Sequence, residues 1–325
     1  MYYDYHIRRF TSKTLTDLRF GIRTFYHAFN DQQWGIGLET PEASEAINPV
    51  ESCARLMNRF NPSLPEIKLL VIFGNEALQN WVPDQSQRGS YDLNDRLHIE
   101  EKALRIWKAG YRNALVPTDL INEGKLTLNA ENKPVLCGHQ FDAVLFLNPQ
   151  YSKEPVLHFL EAYVKNGGKL MIEGSATHNF MGDKIADRMA LLCRNATVNG
   201  FSMKAIPQLG IEKNAVADGC KNEDGSYLFT DIQSIRKDRT ASFSLLLHND
   251  TYSSDYKGLA AISVDEQGKL QKFACSGFKE LRKNGKVILS LNHRAGIFVE
   301  RAGNDYQISV AKLEEESKIV VNNLQ

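Results

Sequence analysis

Residues 143–182, AVLFLNPQYSKEPVLHFLEAYVKNGGKLMIEGSATHNFMG, constrain the fold of this chain more than any other stretch. Ala143–Leu147 is an unbroken apolar run, the pattern of a strand covered on both faces, and Asn148-Pro149 ends it. Ser152 is placed to cap a helix, with Pro155 in its first turn. Val156, Phe159, Leu160, Tyr163 and Val164 then recur at i, i+3, i+4, i+7 and i+8, one buried stripe. Gly167-Gly168 supplies a left-handed end to the helix, and Lys169–Ile172 is a second strand. A corner follows at Glu173-Gly174-Ser175-Ala176, where many enzymes of this architecture carry a nucleophile. Here the corner has neither a cysteine nor a Gly-x-Ser-x-Gly frame.

The same alternation extends towards the N-terminus. Lys68–Phe73 is a continuous apolar run ended by Gly74. His98–Ala109 reads as a helix with Leu97, Ala103, Leu104 and Trp107 turned inward, and Asn113–Val116 as the next strand. Strand–helix–strand units repeated in this way predict an open parallel α/β sheet with right-handed crossovers. Before it, residues 14–60 read as a short strand, Trp34–Leu38, and a helix with Val50, Ala54, Leu56, Met57 and Phe60 on its apolar face. Two prolines in Asn61-Pro62-Ser63-Leu64-Pro65 mark a boundary.

Beyond about residue 220 the pattern becomes all-β. Tyr227–Phe229, Ser242–Leu247, Leu259–Val264, Leu270–Cys275, Val287–Leu291, Ile297–Glu300 and Tyr306–Val310 are short strand candidates. Asn284-Gly285 is a strong hairpin signal between two of them. A small β-sandwich is expected. The domains are therefore placed at 1–65, 66–219 and 220–325.

Composition excludes several function classes. Lys+Arg and Asp+Glu balance at 39 each, so the basic excess of a nucleic-acid binder is missing. No apolar run approaches the roughly 20 residues of a membrane-spanning helix. The start, MYYDYHIRRFTSK, has basic residues but no apolar segment after them, so a cytoplasmic protein is expected if Met1 is the true start. Cys53, Cys137, Cys193, Cys220 and Cys275 are scattered without a C-x-x-C pair, and read as buried free thiols. His98, His139, His248 and His293 show no metal-ligand spacing, and no metal or cofactor is expected. Asn195-Ala-Thr197 and Asn249-Asp-Thr251 match the glycosylation acceptor pattern, which is common by chance.

In α/β sheets ligands collect at the carboxyl ends of the strands. That singles out Gly74, Asn75 and Glu76 after the first strand, Asn148 and Pro149 after the third, and Glu173, Gly174 and Ser175 after the fourth. Ser175 is a nucleophile only with a histidine base in reach, and His178 falls on what reads as the next helical turn; a cap or turn role is the ordinary alternative. Glu39 is a candidate catalytic carboxylate, but glycoside cleavage uses a pair held about 5–9 Å apart. Trp34, with Tyr26 and His27, suits an aromatic sugar platform, although core packing explains them equally well.

The run FDAVLFLNPQYSKEPVLHFLEAYVKNGGKLMIEG resembles the glutamine amidotransferase-like domain that follows the barrel in some bacterial glycoside hydrolases, β-galactosidases whose corresponding domain serves trimerisation. IKLLVIFGNEALQNW and IEEKALRIWKAGYRNALVP fit the same domain, and GKVILSLNHRAGIFVERAGNDY is similar to the small C-terminal sandwich of such enzymes. The resemblance covers roughly residues 66–310. It implies a flavodoxin-like, class I glutamine amidotransferase-like open sheet followed by an all-β sandwich. It also makes residues 14–60 similar to the last strand and helix of a (β/α)₈ barrel, most of which, with both catalytic carboxylates, is absent here. The implied role is the accessory, oligomerising portion of a carbohydrate-active enzyme, a homo-oligomer meeting its sugar through the barrel. Two alternatives stay open: a free-standing amidotransferase-like hydrolase using Ser175, and a non-catalytic carbohydrate-binding or assembly protein.

Overall fold

The structure is a computed structural model and describes residues 12–19, 21–22, 41–79, 97–213, 219–311 and 318–322, with only the backbone of 41–44 and 46. The chain divides into two compact units, residues 67–215 and residues 1–66 together with 216–325.

The first of these is an α/β unit. Its strands are β1 (Leu69–Phe73), β2 (Asn113–Pro117), β3 (Leu126–Leu128), β4 (Pro134–Leu136), β5 (His139–Gln140), β6 (Ala143–Leu147), β7 (Lys169–Glu173) and β8 (Val198–Asn199). Five form one sheet in the order β2-β1-β6-β7-β8, and every neighbouring pair is parallel. The small antiparallel sheet β3-β4-β5 lies in the connection before β6. Its strands of two or three residues left no legible run in the sequence.

Alternate residues of the parallel strands feed two cores, as a period-two side chain pattern requires. Leu70, Ile72, Val144, Phe146, Leu170 and Ile172 face one side with Val156, Phe159, Leu160 and Tyr163 of the helix Glu154–Lys165. Leu69, Val71, Leu145, Leu147 and Met171 face the other with Ile99 and Ile106 of the helix Ile99–Lys108. Helices on both faces explain why the strand sequences are apolar throughout. Two details differ from the expectation. Leu104 is 45% exposed, because it lies one residue off the stripe formed by Ile99, Ala103, Ile106 and Trp107. Ser152 does not cap its helix; its hydroxyl donates to the Pro149 carbonyl at 2.8 Å, and Lys153 occupies the cap position. The two glycines after that helix have separate reasons: Gly167 has φ 81°, whereas a Cβ on Gly168 would meet the Tyr163 ring at 2.5 Å.

In the other unit nine antiparallel strands are hydrogen-bonded into one sheet: β9 (Gly219–Lys221), β10 (Tyr227–Asp231), β11 (Ala241–Leu247), β12 (Asp250–Tyr256), β13 (Gly258–Val264), β14 (Leu270–Lys283), β15 (Lys286–Ala302), β16 (Asp305–Ala311) and β17 (Ile319–Val321). The Asn284-Gly285 turn joins β14 to β15, with φ 51° and 78° as a tight hairpin turn demands. These two strands are long rather than short and bend through register shifts between Cys275 and Arg282. Strand β12, DTYSSDY, has the composition of a polar loop, yet Tyr252, Ser254 and Tyr256 alternate inward.

Here too the two faces differ. Phe229, Ala260, Ile262, Phe273, Cys275, Ile297 and Val299 build one core. Leu228, Leu259, Ala261, Ala274 and Phe298 face the opposite way, against Val50, Cys53, Leu56, Met57 and Phe60 of the helix Pro41–Phe60 and Leu15 and Leu18. Cys53, Cys220 and Cys275 are buried, Cys193 is partly exposed and Cys137 is exposed. Burial pushes the Cys53 thiol up to about 12 and raises that of Cys275, so both act as small apolar groups.

Candidate functional site

The first strand addition runs from β1 to β2 on one side, and the next crosses to β6 on the other. That reversal makes the carboxyl ends of β1 and β6 the expected binding crevice. At this point the backbone is closely packed. Gly74 donates to the Leu147 carbonyl at 2.9 Å, and a Cβ on Gly74 would stand 1.9 Å from the Asn148 carbonyl oxygen.

Polar groups flank this contact. Glu76 has no exposed surface. One of its oxygens accepts from the Thr118 hydroxyl at 2.5 Å, the other from Asn122 Nδ2 at 2.8 Å, and Lys153 Nζ lies 4.0 Å away. Thr118 also accepts from the Asn75 backbone N–H at 3.0 Å. Glu76 and Thr118 therefore tie the segment after β1 to the segment after β2. A carboxylate so enclosed has no path to a substrate, and its partners remove the cost of burying it. Replacing Thr118 with valine keeps the shape, leaves Glu76 one donor short and strands the Asn75 amide. The Thr118→Val variant is expected to lose about 2–3 kcal/mol in urea unfolding; a loss below about 0.5 kcal/mol would show that Glu76 finds another donor.

Among the residues singled out after β6 and β7, Asn148 is buried with φ 56°, a left-handed conformation that asparagine tolerates. Its backbone N–H donates to the Glu173 carbonyl at 3.1 Å, while its side-chain Nδ2 is buried without a hydrogen-bond partner. Glu173 pairs with Lys102 at 2.8 Å, joining the end of β7 to the helix Ile99–Lys108. Ser175 is exposed in irregular chain, well before the helix Ala186–Asn195, so it is not a helix cap. His178 is not on a helical turn either: it bridges to Lys184, and its Nδ1 is 3.0 Å from the Thr177 hydroxyl. Among the described residues no hydrogen bond joins Ser175 to His178, so the elements of an activated nucleophile are not assembled. Glu39, Trp34, His27 and Tyr26, with the Trp34–Leu38 strand, lie outside the described residues.

Sequence reasoning missed Thr118, Asn122, Lys102 and Lys153, which come from three separate segments, with Thr118 and Asn122 one helical turn apart. Among the described residues no cluster of His, Cys, Asp or Glu could hold a metal ion, and no helix is long and apolar enough to cross a membrane.

No family model and no curated protein matches the chain. Among solved structures it is similar to the apo exo-carrageenase GH42 from Bacteroides ovatus, at 15% identity and a TM-score of 0.33, over 84% of this chain and 32% of that one. It is also similar to Gan42B, a GH42 β-galactosidase, at 9% identity and a TM-score of 0.25, over 87% of this chain and 39% of that one. The chain thus spans about a third of the length of the solved structures it matches.

Proposed function

We propose that this chain is the non-catalytic, C-terminal portion of a sugar-hydrolysing enzyme of the β-galactosidase type, serving assembly and shaping of the substrate cleft. The observation that carries this reading is that, among the described residues, the groups at the carboxyl ends of β1, β6 and β7 are engaged with one another. Where such a sheet would hold a ligand, the Gly74 backbone rests on Asn148, and the nearby carboxylates, Glu76 and Glu173, are engaged in holding segments together. Numbered along the chain, the parallel strands run 2-1-3-4-5, which supports a flavodoxin-like, amidotransferase-like unit. On this reading residues 1–65 lead out of a (β/α)₈ barrel, 66–219 form the amidotransferase-like domain, and 220–325 form a sandwich-like domain. The sugar is met by the barrel, for which Trp34, His27 and Glu39 are the candidate residues in this chain, and the assembled enzyme is a homo-oligomer. Glu39 alone lacks the second carboxylate that glycoside cleavage requires.

The purified chain is expected to leave chromogenic β-glycosides uncleaved. When supplied to a β-galactosidase barrel from which the C-terminal portion has been deleted, it should associate, raise the mass seen by light scattering, and restore turnover. Turnover by the isolated chain, lost in Ser175→Ala, would overturn the reading in favour of a free-standing hydrolase. Failure to associate with any such barrel would overturn it as well.

A further inference from the structure

Two hairpin turns meet at one end of the antiparallel sheet, the turn between β13 and β14 and the turn between β15 and β16. Between them lies a cavity of about 270 Å³ lined by Lys269, Arg301, Asn304 and Tyr306. Its lining holds two cations, an amide and a phenol, and no carboxylate. The volume falls just under the ~300 Å³ of ordinary small-molecule pockets, enough for one ring-sized group rather than an extended chain.

Asp265, beside this space, is held by four hydrogen bonds. One oxygen of Asp265 accepts from the backbone N–H groups of Gln267 at 2.9 Å and Lys269 at 2.8 Å. The other accepts from Gln271 Nε2 at 3.1 Å and Arg301 Nη1 at 2.9 Å. The Lys269 amide foremost, with the other donors, holds the Asp265 carboxyl below the usual range. Asp265 is thereby saturated, and it fixes Arg301 rather than competing for the cavity. Arg301 Nε donates to the Gly303 carbonyl at 3.0 Å, so one edge of the guanidinium is committed. Among the described residues Arg301 Nη2 and the Lys269 ammonium have no partner. Arg301 and Tyr306 are directly paired across β15 and β16, so guanidinium and phenol share one face. The Tyr306 hydroxyl donates to the Leu270 carbonyl at 3.0 Å, which sets the plane of its ring.

We infer that this cavity binds an acidic sugar residue, one carrying a carboxylate or a sulfate ester. The oxyanion is taken by Arg301 Nη2 and Lys269, the ring lies against Tyr306, and Asn304 meets a hydroxyl. A fixed guanidinium edge beside a mobile ammonium suits an oxyanion with several acceptor atoms. An amphipathic aromatic ring suits the alternating C–H and O–H edges of a sugar. The sugar class rests on the carbohydrate reading above; the charge preference rests on the cavity alone.

The test is calorimetric titration of the full chain with four probes: a digalacturonate, a sulfated galactose disaccharide, neutral galactobiose and sodium sulfate. One or both acidic disaccharides should bind, more weakly as salt rises from 0.1 to 1 M because the contact is partly exposed. Galactobiose and sodium sulfate should bind at least about tenfold more weakly, having only one half of the recognition each. Lys269→Ala, which removes a side chain with no structural partner, should weaken the acidic probe about tenfold, and Arg301→Lys, which keeps the charge but loses the fork, by a similar factor. The inference is overturned if neither acidic probe binds, if sulfate or galactobiose binds as well as they do, or if neither substitution changes the affinity. Barrel complementation by the Lys269→Ala chain should remain intact, so a failed titration and a failed assembly reading are told apart.

Discussion

Gly74→Ala is expected to cost the α/β unit at least ~3 kcal/mol, the upper end for forcing atoms into a filled interior. The added Cβ would lie 1.9 Å from the Asn148 carbonyl oxygen and 3.1 Å from its carbonyl carbon. Both are backbone atoms held by neighbouring strands, so neither side has a rotamer through which to escape. The parallel pairing of β1 with β6 must open for the methyl to fit. Urea unfolding measures the loss, and hydrogen exchange should place it at the amides of β1 and β6. Gly167→Ala is the control. There the backbone has φ 81° but nothing lies within 4 Å, so only the left-handed conformation is penalised, at about 1–2 kcal/mol. If the two variants are equally stable, the close approach of Gly74 to Asn148 does not exist in solution.

Phe273→Ala should be the most damaging single truncation in the antiparallel unit, at about 3–5 kcal/mol. Phe273 is fully buried on β14, opposite Ile262 of β13 and Val299 of β15. Its ring meets that of Phe278 edge-on, with centroids 5.6 Å apart. Truncation removes the transfer energy of the ring and leaves a void that three hydrogen-bonded strands cannot collapse to fill. Chemical denaturation checks the magnitude, and amide exchange should quicken in β13, β14 and β15. A loss under about 1 kcal/mol would mean that this core repacks freely.

The parallel sheet was legible because each of its main strands is a short apolar run bounded by glycine or proline, and burial on both faces leaves no other reading. The helix Glu154–Lys165 was legible from its stripe alone. Strand β12 was not, since its inward tyrosines and serine alternate with polar residues in a segment rich in turn formers. The small sheet β3-β4-β5 was too short to carry a period. Of the polar cluster at the carboxyl edge, Glu76 could be named from its place after β1. Thr118 and Asn122, 42 and 46 residues further on, could not, because their relation to it exists only once β1 and β2 are paired. The same holds for Arg301 and Tyr306, which meet only through the register of β15 and β16.

By itself, then, the sequence determined the main strands of the parallel sheet, the helices that cover it and most strands of the antiparallel one, since hydrophobic periodicity is a local property written residue by residue. It also determined that no complete nucleophilic or metal-binding motif is present along the chain. Only the tertiary structure decided what the edges of the two sheets do. Whether a glycine marks a turn or a backbone contact, and whether a carboxylate is free or enclosed, depends on residues brought together from distant segments. Those distances are set by strand order and register, which sequence spacing does not encode.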